Sequence, residues 1–243
     1  MTEEVVENMT AAETATPSVP ETTIEDLIAV NESRAATYGF LARLYRKEVD
    51  AELLDQLFHM HYRVSTGNSA VDEGHKLIAT YLSGLWENSL IELSADFSRT
   101  FIGHGYNGHS AAYPFESVYA SEKRLLMQGA RDEVLALYRA QGVDKQSSWK
   151  EGEDHIALEL EFMQVLSARA VEALKNDDQD EAYRLVKCQY SFMDDHLGAW
   201  VPLLTEQMKH FASTKFYQGL AYMTEGFIES DTDLMKDLLS SGE

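Results

Sequence analysis

From Thr23 onward, apolar side chains recur at three- and four-residue steps. Ile24, Leu27, Ile28, Ala35, Tyr38, Leu41 and Tyr45 fall on one face, which predicts a helix of about 22 residues capped by Thr23. The same period returns near 50–63, 71–87 and 89–101, the last carrying Leu90, Leu93, Phe97 and Phe101. It resumes near Ser117 or Tyr119 and runs to about Ala140, ending at Gly142. In 153–175 the apolar residues Ile156, Leu158, Leu160, Phe162, Met163, Val165, Leu166 and Val171 cover more than half the circumference, which predicts a central helix. Patterns at 178–195, 197–212, 215–227 and 231–240 complete the set. No stretch alternates with β-branched enrichment. The expected fold is all-α, a compact bundle of about nine or ten helices with short links.

Two stretches interrupt this rhythm. Residues 1–22 are rich in Thr, Glu, Ala and Pro and poor in large apolar groups, so they bury too little to offset ordering entropy and read as a disordered acidic tail. The all-helical domain is then expected over 23–243. Gly103-His104-Gly105-Tyr106-Asn107-Gly108-His109 holds three glycines in six residues and opposes helix or strand. A hinge is expected near 102–116, and a long connector there permits exchange of halves between two chains, so a monomer and an exchanged-domain dimer both stand open.

Composition narrows the function. With 41 Asp+Glu against 20 Lys+Arg the chain carries −21, and five of those acids lie in the tail without a compensating base. Such a field repels nucleic acid and anionic membrane and attracts basic partners; solubility alone also accounts for it. The single cysteine, Cys188, excludes an internal disulfide and suits a reducing compartment. The N-terminus lacks a basic region followed by an apolar one, no Arg-Arg pair occurs, and no run of about 18 apolar residues exists. A cytoplasmic protein without a membrane span, itself no twin-arginine export substrate, is expected.

Most catalytic chemistry finds no motif. There is no G-x-x-x-x-G-K-[ST] and no strand–GxGxxG–helix context. Among eight histidines none belongs to H-E-x-x-H. His155 with Glu159, joined by Asp195-His196, is the one set to weigh for a metal, but these residues fall at helix ends and no Glu-x-x-His accompanies them. Cys188 sits between Val186 and Tyr190 and reads as a buried small hydrophobe. Ser117 with His155 lacks a third group to orient the base. What remains are two segments about 35 residues apart, able to meet at one end of a bundle. Tyr113, Phe115 and Tyr119 offer rigid aromatic area, Pro114 holds the break between helices, and Glu116, Glu151, Glu153 and Asp154 add negative charge. A groove with apolar walls and acidic rims suits a peptide with basic residues followed by an apolar stretch. The alternative is that the aromatics plug the bundle and the acids complement a helix N-terminus.

At these segments the chain resembles the TorD/DmsD/NarJ family of molybdoenzyme-specific chaperones, the redox-enzyme maturation proteins, on its TorD/DmsD branch. The resemblance spans about 30–225. It is carried by Tyr38-x-x-Leu41-Ala42-x-Leu44-Tyr45, Glu92-Leu93-x-x-Asp96-Phe97-x-x-x-Phe101, Tyr113-Pro114-Phe115-Glu116-Ser117-Val118-Tyr119 and Tyr138-x-x-x-Gly142. Asp154-His155-Ile156-x-x-Glu159-Leu160-Glu161-Phe162-Met163 and Phe192-Met193-x-x-His196-Leu197-x-x-Trp200-Val201-Pro202 follow. It implies an all-helical fold, no catalysis and no cofactor. It also implies binding of the twin-arginine leader and apo-form of a molybdopterin oxidoreductase, which assists cofactor insertion and delays export. Weak guanine-nucleotide binding, found in some of the family, has no motif here. The resemblance places Tyr113, Pro114, Phe115, Ser117, Tyr119, Asp154 and His155 in the leader-binding region. Where the family usually reads Glu-Pro-x-Asp-His this chain has Gly152, which predicts a less pre-organised turn and weaker leader binding. His155 would make binding pH-dependent between about pH 5 and 8. A metal-dependent helical-bundle hydrolase and an adaptor subunit of a respiratory complex are the competing readings.

Overall fold

The computed structural model describes residues 23–103, 110–120 and 129–240. The acidic tail, residues 104–109 of the expected hinge, residues 121–128 and the last three residues lie outside the described residues. Ten α-helices occur among those described: α1 (Ile24–Arg46), α2 (Ala51–His59), α3 (Ser69–Leu82), α4 (Ser89–Phe97), α5 (Glu116–Ala120), α6 (Gly129–Ala140), α7 (Ile156–Lys175), α8 (Gln179–Phe192), α9 (Gly198–Phe211) and α10 (Lys215–Ser240). Two π-helical turns, Ser98–Ile102 and Met193–Leu197, extend α4 and join α8 to α9.

Local chemistry sets the boundaries. Thr23 and Asp26 form a capping box at α1: the Thr23 hydroxyl accepts from the Asp26 N–H, and the Asp26 carboxylate accepts from the Thr23 N–H. Such a cap is worth about 1 kcal/mol. Asp50, Asn68 and Asp178 cap α2, α3 and α8, each with a side-chain oxygen that accepts from the first-turn N–H groups. The N-terminus of α10 is capped from a distance. Asp96 of α4, buried, accepts from the N–H groups of Ser213 (2.9 Å) and Thr214 (2.7 Å). The Glu92-to-Phe101 motif thereby ties α4 to the start of α10.

The expectation of two helices at 215–227 and 231–240 is corrected: α10 is continuous through 240. The polar run Glu229-Ser230-Asp231 mimics a break, but Asp231 points inward. Arg34 donates to it through Nε (2.6 Å) and Nη2 (2.9 Å), and the Tyr38 hydroxyl also donates to it. A buried ion pair therefore occupies a position of the core-facing stripe that hydrophobicity would have filled.

The expectation that the 153–175 helix is central holds. Thirteen residues of α7 are buried, and it packs along α1 on one side and α8 on the other. A second layer pairs α3 with α10. That crossing is close: a Cβ at Gly74 would stand 2.7 Å from the Gly219 carbonyl, and one at Gly219 would stand 2.8 Å from the Gly74 carbonyl. One apolar cluster joins residues from α1 to α10, so segments before and after the glycine-rich break share a core. No helix among the described residues is long and apolar enough to cross a membrane.

Candidate peptide-binding site

Pro114 keeps residues 113–115 out of helix, and α5 starts at Glu116. The turn 151–154 leads into α7, whose cap is His155: its Nδ1 accepts from the Ala157 N–H (3.0 Å). The two segments meet. Phe115 and His155 form an isolated antiparallel bridge. The Ile156 N–H donates to the Pro114 carbonyl and the Glu116 N–H to the Asp154 carbonyl, each at 3.0 Å. Asp154 Oδ2 accepts from the Ser117 N–H (3.1 Å), so one aspartate bridges the segments and caps α5. The Phe115 and His155 rings meet edge to face, with centroids 5.0 Å apart.

Three of the four acids are turned inward rather than set on a rim. Glu153 lies against Arg131 and Lys145, whose hydrogen bonds outweigh its burial and hold its carboxyl at about 2. His196, on the second π turn, donates from Nδ1 to Glu116 (3.0 Å). Asp154 is 1% exposed. Of the four, Glu151 is exposed and lines the open groove. The reason is that each buried carboxylate finds donors inside: two cations, an imidazole, and the orphan amide of a helix start.

Beneath the junction lies a fourth buried carboxylate. Glu159, fully buried in α7, accepts from the Trp200 indole N–H (2.9 Å). Its burial, reinforced by the Glu116 carboxylate, pushes its pKa well above the usual carboxylate range. Tyr119 stacks on Trp200 with centroids 5.6 Å apart. Burial, with Arg46 adding to it, lowers His155 to about 3, so the ring is neutral across pH 5–8 and the expected titration there is corrected. Gly152 has a packing reason: a Cβ there would come within 2.6 Å of Asp154 Oδ1. His155 spends Nδ1 on a helix cap, and no group of three or more His, Cys, Asp or Glu residues suited to an ion occurs among the described residues.

Pro114, Phe115, His155 and Glu151 line an open groove of about 1060 Å³. Leu90, Ile91, Phe97, Phe101 and Ile102, from α4 and the π turn after it, also line it. Ile91 is 68% exposed and Ile102 60%. The π turn inserts an extra residue, which re-aims Phe101 and Ile102. Tyr113, Ser117, Tyr119, Glu116, Glu153 and Asp154 do not line this groove. Periodicity missed the outward-facing Ile91 and Ile102, together with Arg46 and Trp149. A large apolar residue on the polar face of an amphipathic helix was the available signal for the first two. The last two carried none.

The model of the family described as "Nitrate reductase delta subunit" matches residues 67–206, which include both segments, the groove wall on α4 and the Trp200 region. The chain belongs to that family. It is also similar over most of its length to proteins named chaperone protein TorD. That of Aliivibrio salmonicida is 27% identical over 218 residues, covering 87% of this chain and 99% of that protein. That of Vibrio parahaemolyticus is 28% identical, covering 86% and 97%, and that of Photobacterium profundum 26% identical, covering 86% and 96%. In this family member, then, two of the segments quoted for the TorD/DmsD/NarJ resemblance, those at 113–119 and 154–163, are bonded to each other.

Proposed function

We propose that this protein is a cytoplasmic maturation chaperone, not an enzyme, which holds the twin-arginine leader of a molybdopterin oxidoreductase in its apo-form. Similarity to TorD chaperones over most of the chain supports the chaperone role and a molybdoenzyme client. The observation that carries the leader reading is the open apolar groove flanked by the bonded 113–117 and 151–156 segments. Phe115 together with the exposed Ile91 and Ile102 suits the apolar stretch of a leader. The acids lining the groove, Glu48, Asp50 and Glu151, are matched by Arg46, Lys47 and Lys150. Attraction of the basic end therefore comes from the −21 field of the whole molecule. Holding the leader delays export until the cofactor is inserted.

Calorimetric titration of the full chain at low and moderate salt, with synthetic twin-arginine leaders of molybdoenzymes, tests this. One leader is expected to bind, more weakly as salt rises, and to lose binding when its arginines become glutamines. Failure of every leader would overturn the reading. The family's description as a subunit favours one second reading, an adaptor that stays with its enzyme. An adaptor would co-purify with the cofactor-loaded enzyme, a chaperone with the apo-form.

A further inference from the structure

Arg46 is the last residue of α1, and its guanidinium stands over the Trp149 ring, 5.3 Å from the centroid. It pairs with the Glu161 carboxylate of α7 through Nη2, while its buried Nε finds no acceptor among the described residues. The Trp149 ring meets His155 edge to face at 5.1 Å, so Trp149 continues the Phe115–His155 contact away from the bonded segments. Arg46, Ser148 and Trp149 line both the large groove and a second cavity of about 300 Å³, whose wall includes Glu161, Phe162 and Val165. The Arg46–Trp149 pair thus stands where the two spaces meet.

An aromatic face beside a carboxylate is a recognition site for a guanidinium: the ring attracts the cation, and the carboxylate accepts two parallel N–H groups. We propose that Trp149 and Glu161 form an arginine-binding subsite, which Arg46 fills in the free protein and an arginine of the incoming peptide takes over. This deepens the leader reading and rests on it for the source of the arginine. Three features favour exchange over a fixed strut. Arg46 engages Glu161 from one side only, since Nε is left out, whereas a guanidinium arriving through the groove is free to dock with both of its N–H edges. The Arg46 and Glu161 side chains are each about one-third exposed (35% and 33%), so the pair is reachable. Glu48 lines the same groove, so a displaced Arg46 keeps a carboxylate in reach. Burial pushes the Glu161 pKa up and Arg46 draws it back, so an unpaired Glu161 gains from any guanidinium that replaces Arg46.

The test uses the full chain with a leader that binds the wild type and its Arg→Lys version. Arg46→Ala is expected to tighten arginine-leader binding about tenfold by removing the competitor. Glu161→Gln and Trp149→Leu are expected to weaken it by a similar factor and to erase the preference for arginine over lysine. Weaker binding to Arg46→Ala at unchanged thermal stability, or an intact preference in Glu161→Gln, would overturn the subsite. If Arg46→Ala is destabilised, Arg46→Gln keeps the side-chain stem and the same expectation. A second readout is free of leaders: the Trp149 indole N–H resonance in Arg46→Ala, titrated with N-acetylarginine amide and with its lysine counterpart. A shift with the arginine probe alone upholds the subsite even where every leader fails, and then the leader reading falls by itself. No shift with either probe overturns the subsite while leaving any leader binding intact.

Discussion

Asp154 carries more of the site's geometry than any other single residue. Its carbonyl and its carboxylate each take an amide from the start of α5, so it couples the 113–117 segment to α7. At 1% exposed it holds Phe115 and Pro114 in place from beneath, and under the proposed function it would act on a leader through them rather than by touching it. Gly152 leaves the room that this carboxylate needs. Gly152→Ala is therefore expected to turn the Asp154 carboxylate away from Ser117, lowering stability by about 1 kcal/mol and weakening leader binding. Thermal unfolding together with leader titration checks this, and an unchanged melting temperature with unchanged affinity would remove the packing role given to the glycine. The dipeptide Asp154-His155 was legible as special from the sequence. Its office was not, because residue type alone does not distinguish a carboxylate facing a ligand from one capping a helix 37 residues away.

At the scale of elements, the periodicity located nearly every helix and failed where charge sits inside. Along α10, Asp231 belongs to the buried stripe with Ile228 and Met235, yet it reads as a polar interruption. The Arg34 and Tyr38 side chains of α1 satisfy it, and α1 and α10 are thereby pinned together by residues 197 positions apart. Asp231→Ala leaves the Arg34 charge buried without its partner and is expected to cost about 3–5 kcal/mol. Urea unfolding followed by circular dichroism measures it, and a loss under about 1 kcal/mol would show that Arg34 reaches water or another acceptor. The two π turns form a second departure. One carries Phe101 and Ile102 to the groove wall, and the other carries His196 to Glu116. A single inserted residue changes the facing of a helix without changing its composition, so no 3.6-residue pattern announces it.

Over the whole molecule, burial of Glu159 in the core couples the fold to pH. Glu159 binds its proton more tightly in the folded chain than in the unfolded one. Its stabilising contribution is full below the usual carboxylate range and is lost as pH rises through its raised folded value. Glu159→Gln has no proton to lose, and its amide oxygen still accepts from Trp200. The variant is expected to match the parent on the acid side and to exceed it on the alkaline side. Melting temperatures from about pH 5 to 9 would show the curves diverging with rising pH, and parallel curves would sink the assignment.

The sequence by itself determined the helical class, the approximate limits of most helices, the central place of α7 and the two segments that meet ahead of α5 and α7. It did so because those features follow from local periodicity, caps and breakers, which act within a few residues. Only the tertiary structure decided which way each side chain of the site faces. It set Glu116, Glu153 and Asp154 against internal donors and held His155 neutral. It also opened a groove between α4 and the bonded segments and brought Arg46, Trp149 and Glu161 from three distant stretches into one cluster. Those outcomes depend on contacts between residues far apart in the chain, whose energies no local pattern encodes.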